Sequence, residues 1–517
     1  MTERIERLKQ IVILGGGSAG WLTAALIAAE HGVGLQVTLL ESPDVPAIGV
    51  GEGTWPTMRD TLHKIGISET DLVRECEATF KQGSKFVGWV HGRADDQYDH
   101  PFVLPQGYTE ANLVAAWLQQ RVDVPFAELM SFQPHLCSAG LAPKQAATPE
   151  FAAVANYGYH FDAVKFGQLL RRHCLEKLGV KHVQDHMLGV NSHANGDIAS
   201  LQTQTHGALS ADLFIDCSGM PSLLLGQHFG VPLLSQQEVL FNDSALALQV
   251  PYAQVDSPIA SQTISTAQSC GWIWDIGLQT RRGIGYVYSS AHCSDEAAEI
   301  ELRAYVAKTG GAAEALTARK LSFKPGYRAR FWHKNCVAIG LSAGFIEPLE
   351  ASALALVELS ATLVSEEMPA NRALMDIAAH RFNDAFTYRW ERVIDFLKLH
   401  YVLSQRRDSA YWREQAASTP PRLQELLAQW QHRPPSRHDF HRIEEMFPSA
   451  SYQYVLYGMG FRPLPSAGAR HSEDAANAQK AAGFFSETAQ LTRRMLGALP
   501  SNRALIAHIQ QHGLHSI

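Results

Sequence analysis

The chain of 517 residues has no apolar run near the roughly 20 residues that would span a bilayer, so no membrane insertion is expected. It has 23 histidines but no HExxH-type pair, and no CxxC, which excludes the common metal-binding patterns. Its seven cysteines (Cys76, Cys137, Cys174, Cys217, Cys270, Cys293 and Cys336) are scattered singly and read as reduced, mostly buried thiols. Basic residues are outnumbered by acidic ones, 44 to 51, for a net charge of −7. That balance argues against nucleic acid as a partner, because phosphate neutralisation needs a basic surface. The opening MTERIERLKQ lacks the apolar stretch and small-residue cleavage site of a signal peptide, and a cytoplasmic protein is expected.

What is present is an enzyme-like globular composition, 46% hydrophobic and 18% charged, long enough for a large core. Gln10–Leu14 reads as a buried strand, Ala19–His31 as a helix and Leu35–Leu40 as a second strand, the βαβ start of a doubly wound sheet. Pro56–Ile65 and Ser68–Phe80 read as helices, the second with Ser68 and Asp71 in capping register. Residues 97–156 read as loops and short helices, and Phe161–Leu178 as a helix. Strands are expected at Val180–Val183, Ala199–Gln204 and Asp212–Asp216, with further sheet between Ala245 and Ser290. From Ser352 to Leu403 and beyond, helical patterns dominate.

Gly15-Gly16-Gly17-Ser18-Ala19-Gly20 fits GxGxxG. It follows a strand and opens a helix, where backbone N–H groups can meet a pyrophosphate. Glu41, at the end of the next strand, stands where a carboxylate would accept ribose hydroxyls. The fingerprint alone fits FAD or NAD. Trp272 and Trp274, in Gly271-Trp272-Ile273-Trp274-Asp275-Ile276-Gly277, project to one face of an extended segment; alone, such a pair is ordinary core or sheet surface.

Taken in order, the glycine loop, Lys81 in TFKQGSKF, the tryptophan pair and IEPLEASAL resemble the flavin-dependent tryptophan halogenases over nearly the whole chain. The resemblance implies an α/β fold: a Rossmann-like FAD-binding domain of the flavoprotein monooxygenase type with a mostly helical, substrate-binding C-terminal region. It places the FAD-binding core at 1–360, with a loop-rich substrate-side insertion at about 86–160, and a helical substrate-side domain at 361–517. It implies FAD, used as FADH2, with O2 and bromide or chloride as co-substrates. No second nucleotide fingerprint is visible, so a separate NAD(P)H-dependent flavin reductase is expected; nothing in the sequence specifies or forbids a homodimer. Hypohalous acid made at the flavin then reaches a small, electron-rich aromatic substrate at a distance.

Carried onto this sequence, the cofactor residues are Gly15, Gly17, Ser18, Ala19, Gly20 and Glu41. To these the resemblance adds Gly49, Gly51 and Glu52 from GVGE, Asp216 from FIDCSG, and Gly340 and Leu341 from AIGLSAG. Lys81 is the expected catalytic lysine, with Lys85 its positional competitor, and its ammonium is expected to be acidified by desolvation. Glu350 is the expected second catalytic residue, and Glu347 is more structural. Ser352 and Ala353 stand where the family holds halide by backbone N–H groups, in a chain that has Ala351-Ser352-Ala353 for Ser-Thr-Gly. If a positive φ were needed at 353, alanine would resist it. His100 and Phe102 fall on the substrate side with Trp272 and Trp274, and Gly277 replaces the family's proline. Between Phe440 and Gly460 the tyrosine-rich substrate lid is shortened, which favours indole or an indole-containing molecule over free tryptophan. The alternative reading is an FAD-dependent aromatic monooxygenase; a third is a flavin-binding sensor without halide chemistry.

Overall fold

The computed structural model describes residues 7–45, 51–93, 95–464 and 474–516, which fall into two compact units interleaved in sequence. The first takes residues 1–78, 161–237 and 323–390, and the second 79–160, 238–322 and 391–517. The sequence reading drew a single linear boundary near residue 360. The chain crosses between the two compact units several times, the last time inside the helix Arg372–Val402.

The first unit is built on a six-stranded sheet in the order Trp332–His333, Cys336–Ala338, Leu213–Asp216, Gln10–Leu14, Gln36–Glu41, Lys181–Gln184. All neighbours are parallel except the edge strand Trp332–His333. The central strand QIVIL is apolar almost throughout because a parallel sheet is covered on both faces. Helix Ser18–His31 packs against Ser352–Glu366 and Ala163–Glu176. This is the doubly wound α/β arrangement that the sequence implied.

Two expected helices are shorter than read. The helix read as Ser68–Phe80 is Glu69–Glu75, capped by Ser68 through the Asp71 N–H. Glu77 then takes a left-handed φ of 53°, and the chain continues as the strand Thr79–Lys81. The helix read from Phe161 starts at Ala163, because Asp162 caps it and the preceding residues form the strand Gly158–Phe161.

The second unit holds a seven-stranded sheet: Arg319–Ser322, Ser244–Pro251, Arg281–Tyr288, Gly271–Gly277, Thr263–Ala267, Gly83–Val87, Gln97–Pro101. Only the pair Thr263–Ala267 and Gly83–Val87 is parallel. One face carries Leu246, Leu248, Ile273, Ile284 and Tyr286, which pack on Ala298, Leu302 and Val306 of helix Asp295–Lys308. Between 97 and 156 short helices were expected, and three are found: Leu113–Gln120, Phe126–Met130 and Gln133–Ser138. Among the described residues no helix is long and apolar enough to cross a membrane.

Candidate active site

In the first unit, three segments distant in sequence converge on the glycine loop. Gly15, at φ 120°, lies so close to the Cys217 carbonyl that a β-carbon would sit 2.2 Å from its oxygen. A β-carbon on Gly20 would meet the Gly15 carbonyl at 1.9 Å, and one on Gly340 would meet Ala19 at 2.7 Å. These glycines are needed for close packing of strand, turn and helix. Gly17 differs: nothing lies within 4 Å of where its β-carbon would be, at the N-cap of helix Ser18–His31. The loop therefore leaves a cradle open in front of backbone N–H groups at a helix N-terminus, the shape and polarity a pyrophosphate requires. Ser18 turns its hydroxyl to the Ala163 carbonyl at 3.3 Å. Glu41 ends the adjacent strand with its carboxylate over Gly16, held by His182 at 2.9 Å and Arg171 at 3.4 Å. A dinucleotide such as FAD fits these residues.

Asp216 is fully buried, and its carboxylate is engaged within its own loop. It accepts from the Ser218 N–H and hydroxyl on one oxygen, and from Ser222 Oγ and the Leu224 and Leu225 N–H groups on the other. Its carbonyl receives the Ile339 N–H at 3.0 Å and the Ser342 hydroxyl, joining it to the turn of Gly340 and Leu341. Its geometry is thus that of an organiser of the loop beside the glycine turn. Gly49 lies outside the described residues. Gly51 is buried, with φ 92°. Glu52 is half-buried, and desolvation pushes its carboxyl up to about 7.

Glu350 and Ala351 are both left-handed, at φ 63° and 54°, and Ser352 then opens helix Ser352–Glu366. Two consecutive non-glycine residues in this region cost about 1–3 kcal/mol each and persist only where the surroundings hold them. The Trp55 indole N–H donates to the Glu350 carbonyl at 2.7 Å, and the Ala351 N–H to the Pro348 carbonyl at 3.0 Å. No side chain caps the helix, and Ser352 is buried. The result is a buried helix N-terminus whose first-turn N–H groups, those of Ser352 and Ala353 included, form an anion-compatible end. The positive φ that alanine was expected to resist falls at Glu350 and Ala351. Ala353 is helical, so its methyl group meets no backbone conflict there.

Two turns further on, Glu358 is buried and accepts hydrogen bonds from Thr61 at 2.6 Å and Thr57 at 3.4 Å. Desolvation pushes its carboxyl up to about 8.

In the second unit, Lys81 ends the strand Thr79–Lys81, is 1% exposed, and sets its ammonium 5.4 Å from the centre of the Phe102 ring. This short strand is anchored along its length and at the residue that follows it. Thr79 donates to the Gly277 carbonyl at 2.6 Å, Asn502 donates to the Phe80 carbonyl at 3.2 Å, and the Gln82 N–H binds the Ser261 carbonyl at 2.7 Å. Lys85 stands on a different strand, directly opposite Asp99. The two lysines are therefore in distinct settings, one buried at a strand end and one in a cross-strand pair. Burial, and secondarily the Lys81 charge, holds His160 well below the usual imidazole range, so it stays neutral at the fold's interior.

Trp272 and Trp274 share one face of Gly271–Gly277, T-shaped at 6.4 Å. Trp272 also approaches Trp89 at 6.3 Å. Trp274 lies across Gly285, its directly paired neighbour, where a β-carbon would fall 2.1 Å from the indole. A side chain on Gly277 would meet the Tyr252 hydroxyl at 2.8 Å, so glycine fits that strand end. His100 is buried, bonded to Ser451 at 2.8 Å and packed by Phe396 and Tyr454. The structure thus brings Lys81 to Phe102 and seats His100 on the helix Ser449–Gly458. Sequence reading missed Trp55, Thr79, Gly285 and Asn502. Only Trp55, three residues beyond GVGE in an otherwise polar TWPT, stands out in the sequence.

Comparison with known proteins agrees with this geometry. The tryptophan halogenase family model matches residues 10–474. The chain is 33% identical to the tryptophan 6-halogenase of Streptomyces toxytricini, over 97% of this chain and 98% of that one. It is 30% identical to the tryptophan 7-halogenase of Lentzea aerocolonigenes, over 98% and 99%. Among solved structures, the tryptophan halogenase of Shewanella frigidimarina superposes with a TM-score of 0.94 at 48% identity, over 99% of each chain. A glycine loop cleared for a dinucleotide, a buried lysine anchored to a tryptophan-bearing strand and similarity along the whole chain lead to one assignment: this enzyme belongs to the flavin-dependent tryptophan halogenase family.

Proposed function

We propose that the enzyme takes FAD as FADH2 from a separate NAD(P)H-dependent reductase in the cytoplasm. With O2 and bromide or chloride it makes hypohalous acid, and it halogenates indole or an indole-containing aromatic. When bound, FAD supplies the electrons that reduce O2 and so allow halide to be oxidised. The N–H groups of Gly17, Ser18, Ala19 and Gly20 receive the pyrophosphate, Glu41 the ribose, and Gly51, Glu52, Gly340 and Leu341 lie along the ring system. Halide is held by the N–H groups of Ser352 and Ala353 at the uncapped helix end.

Lys81 hydrogen-bonds the hypohalous acid through its ammonium and presents the electrophilic halogen to the ring. Glu350 accepts the proton that leaves the ring carbon. Trp272, Trp274, Phe102 and His100 shape the substrate side, together with the helical region from Glu391 onward. The observation that carries this reading is Lys81, a lysine 1% exposed with its ammonium facing an aromatic ring, on a strand tied to the tryptophan strand through Thr79 and Gly277. A long cation is rarely placed so far from water without a task.

The segment expected to be a shortened lid supports the substrate choice. In helix Ser449–Gly458, Tyr454 donates to the Val103 carbonyl at 2.9 Å, and Tyr452 packs on Phe396, Trp430 and Phe440. These tyrosines serve the core and are not spare to grip an amino-acid zwitterion. Relatives named for the 6- and 7-positions lie at 33% and 30% identity, so overall likeness does not select a ring position.

The test is mass spectrometry of indole incubated with the enzyme, FAD, a flavin reductase, NADH and bromide. A mono-brominated product that is lost with Lys81→Ala is expected. Hydroxylated indole formed without bromide would establish the monooxygenase reading instead.

A further inference from the structure

Cys270 and Cys293 come together in the second unit although neither belongs to a recognisable motif. Cys270 immediately precedes the tryptophan strand, and its carbonyl accepts the Ser289 N–H at 3.1 Å. The Ser289 carbonyl in turn receives the N–H groups of His292 and Cys293, at 3.0 and 3.1 Å, closing a tight turn. The Cys270 thiol donates to the His292 carbonyl at 3.2 Å. That oxygen belongs to the planar peptide leading into Cys293, about 2.8 Å from its α-carbon, so the Cys270 sulfur lies within about 6 Å of that α-carbon.

The turn is held firmly: Ser289 and His292 side chains bond at 2.9 Å, and the His292 ring stacks on Phe241 at 5.8 Å. Burial, and then the nearby Cys270, raises the Cys293 thiol above the usual range. Cys293 is only half-buried, whereas the other six cysteines are buried.

We infer that Cys270 and Cys293 are a modification site: a thiol pair that closes to a reversible disulfide on meeting a hypohalous acid. The origin of that oxidant within the enzyme rests on the proposed function. Cys270 attacks first. Its sulfur bonds to bromine of hypobromous acid, the O–Br bond breaks, and the thiol proton and hydroxide leave as water. The Cys293 sulfur then attacks Cys270 sulfur, expelling bromide and releasing its proton. Each sulfur loses one electron, and bromine gains two. The cross-link joins the start of the tryptophan strand to the start of helix Asp295–Lys308, which Ser294 caps. A strand that lies beside passing oxidant thereby gains a sacrificial, reducible partner that spares its indoles.

The experiment adds one equivalent of hypobromite to the reduced full-length protein, without flavin or substrate, so its outcome is independent of turnover. Expected is the loss of two of the seven thiols, a peptide pair joined at 270 and 293 with the loss of two hydrogens, and full recovery with dithiothreitol. Cys293→Ser should abolish the joined peptide and leave Cys270 as a sulfenic acid. Wild-type protein in which no 270–293 peptide forms, or in which the two sulfurs are oxidised separately to acids, would overturn the inference. Should the serine variant misfold, the wild-type peptide map decides alone.

Discussion

In the first unit the functional region is made by what is missing: glycines at 15, 20 and 340 let backbone touch backbone, and Gly17 leaves a gap. In the second it is made by bulk: Trp89, Trp272 and Trp274 pack on one another, and the Phe102 ring faces the buried Lys81. Removing atoms creates a place for a phosphate because main-chain N–H groups are always there to be exposed. Adding rings creates an apolar enclosure but offers no polar group of its own, so a side chain such as Lys81 must be imported and anchored. The first strategy depends on a few small residues that let distant backbone segments meet, and the second on side-chain partners brought from all along the chain.

The largest expected effect tests the imported group. Lys81→Ala should lower kcat for bromination about 10²–10⁴-fold while the affinity for FAD, followed by flavin fluorescence, stays at the wild-type value. Next come two glycine substitutions that should behave oppositely. Gly17→Ala has room in the protein itself, so the apoprotein's melting temperature should hold while FAD affinity falls at least about tenfold, as its methyl group occupies the cradle. Gly285→Ala drives a methyl group into the Trp274 indole and should destabilise by about 1–3 kcal/mol, read by denaturant titration, with FAD affinity unchanged. If both variants lost flavin and stability alike, the contrast between gap and bulk would fail.

The Glu358 carboxyl titrates near 8 in the fold against 4.5 for the free group. The folded state therefore holds the extra proton between those values, and stability should fall as pH rises across that window. Glu358→Gln should flatten the decline, so the variant's melting temperature gains on wild type from pH 5 to 8. The smallest effect is expected at Ala351, where glycine relieves the left-handed backbone. Ala351→Gly should stabilise by up to about 1 kcal/mol, with the halide KM moving little if the helix end keeps its shape.

How much could be read from the sequence follows the same division. The N-terminal strand, glycine turn, helix and second strand were legible because they are local and depend on period and glycine spacing. Lys81 was singled out only through resemblance. Its anchors, Gly277, Asn502 and Ser261, lie far along the chain and are ordinary residues in ordinary contexts. The helix expected to run through Phe80 ended early because pairing with Gly158–Phe161 outweighed local propensity, and such non-local pairing leaves no trace in a short window. The left-handed pair Glu350–Ala351 was invisible for another reason: neither residue favours that conformation, so only the tertiary hold, such as the Trp55 hydrogen bond, reveals it.

The contact of Trp274 with Gly285 has a consequence for descent. The two positions behave as one locus, since any lineage that acquires a β-carbon at 285 must first surrender the indole at 274. A smaller ring at 274 followed by a larger neighbour at 285 is the less costly order, and the reverse order passes through a destabilised intermediate. A directed-evolution library that randomises position 285 alone would sample mostly destabilised proteins, whereas randomising the pair would open the route.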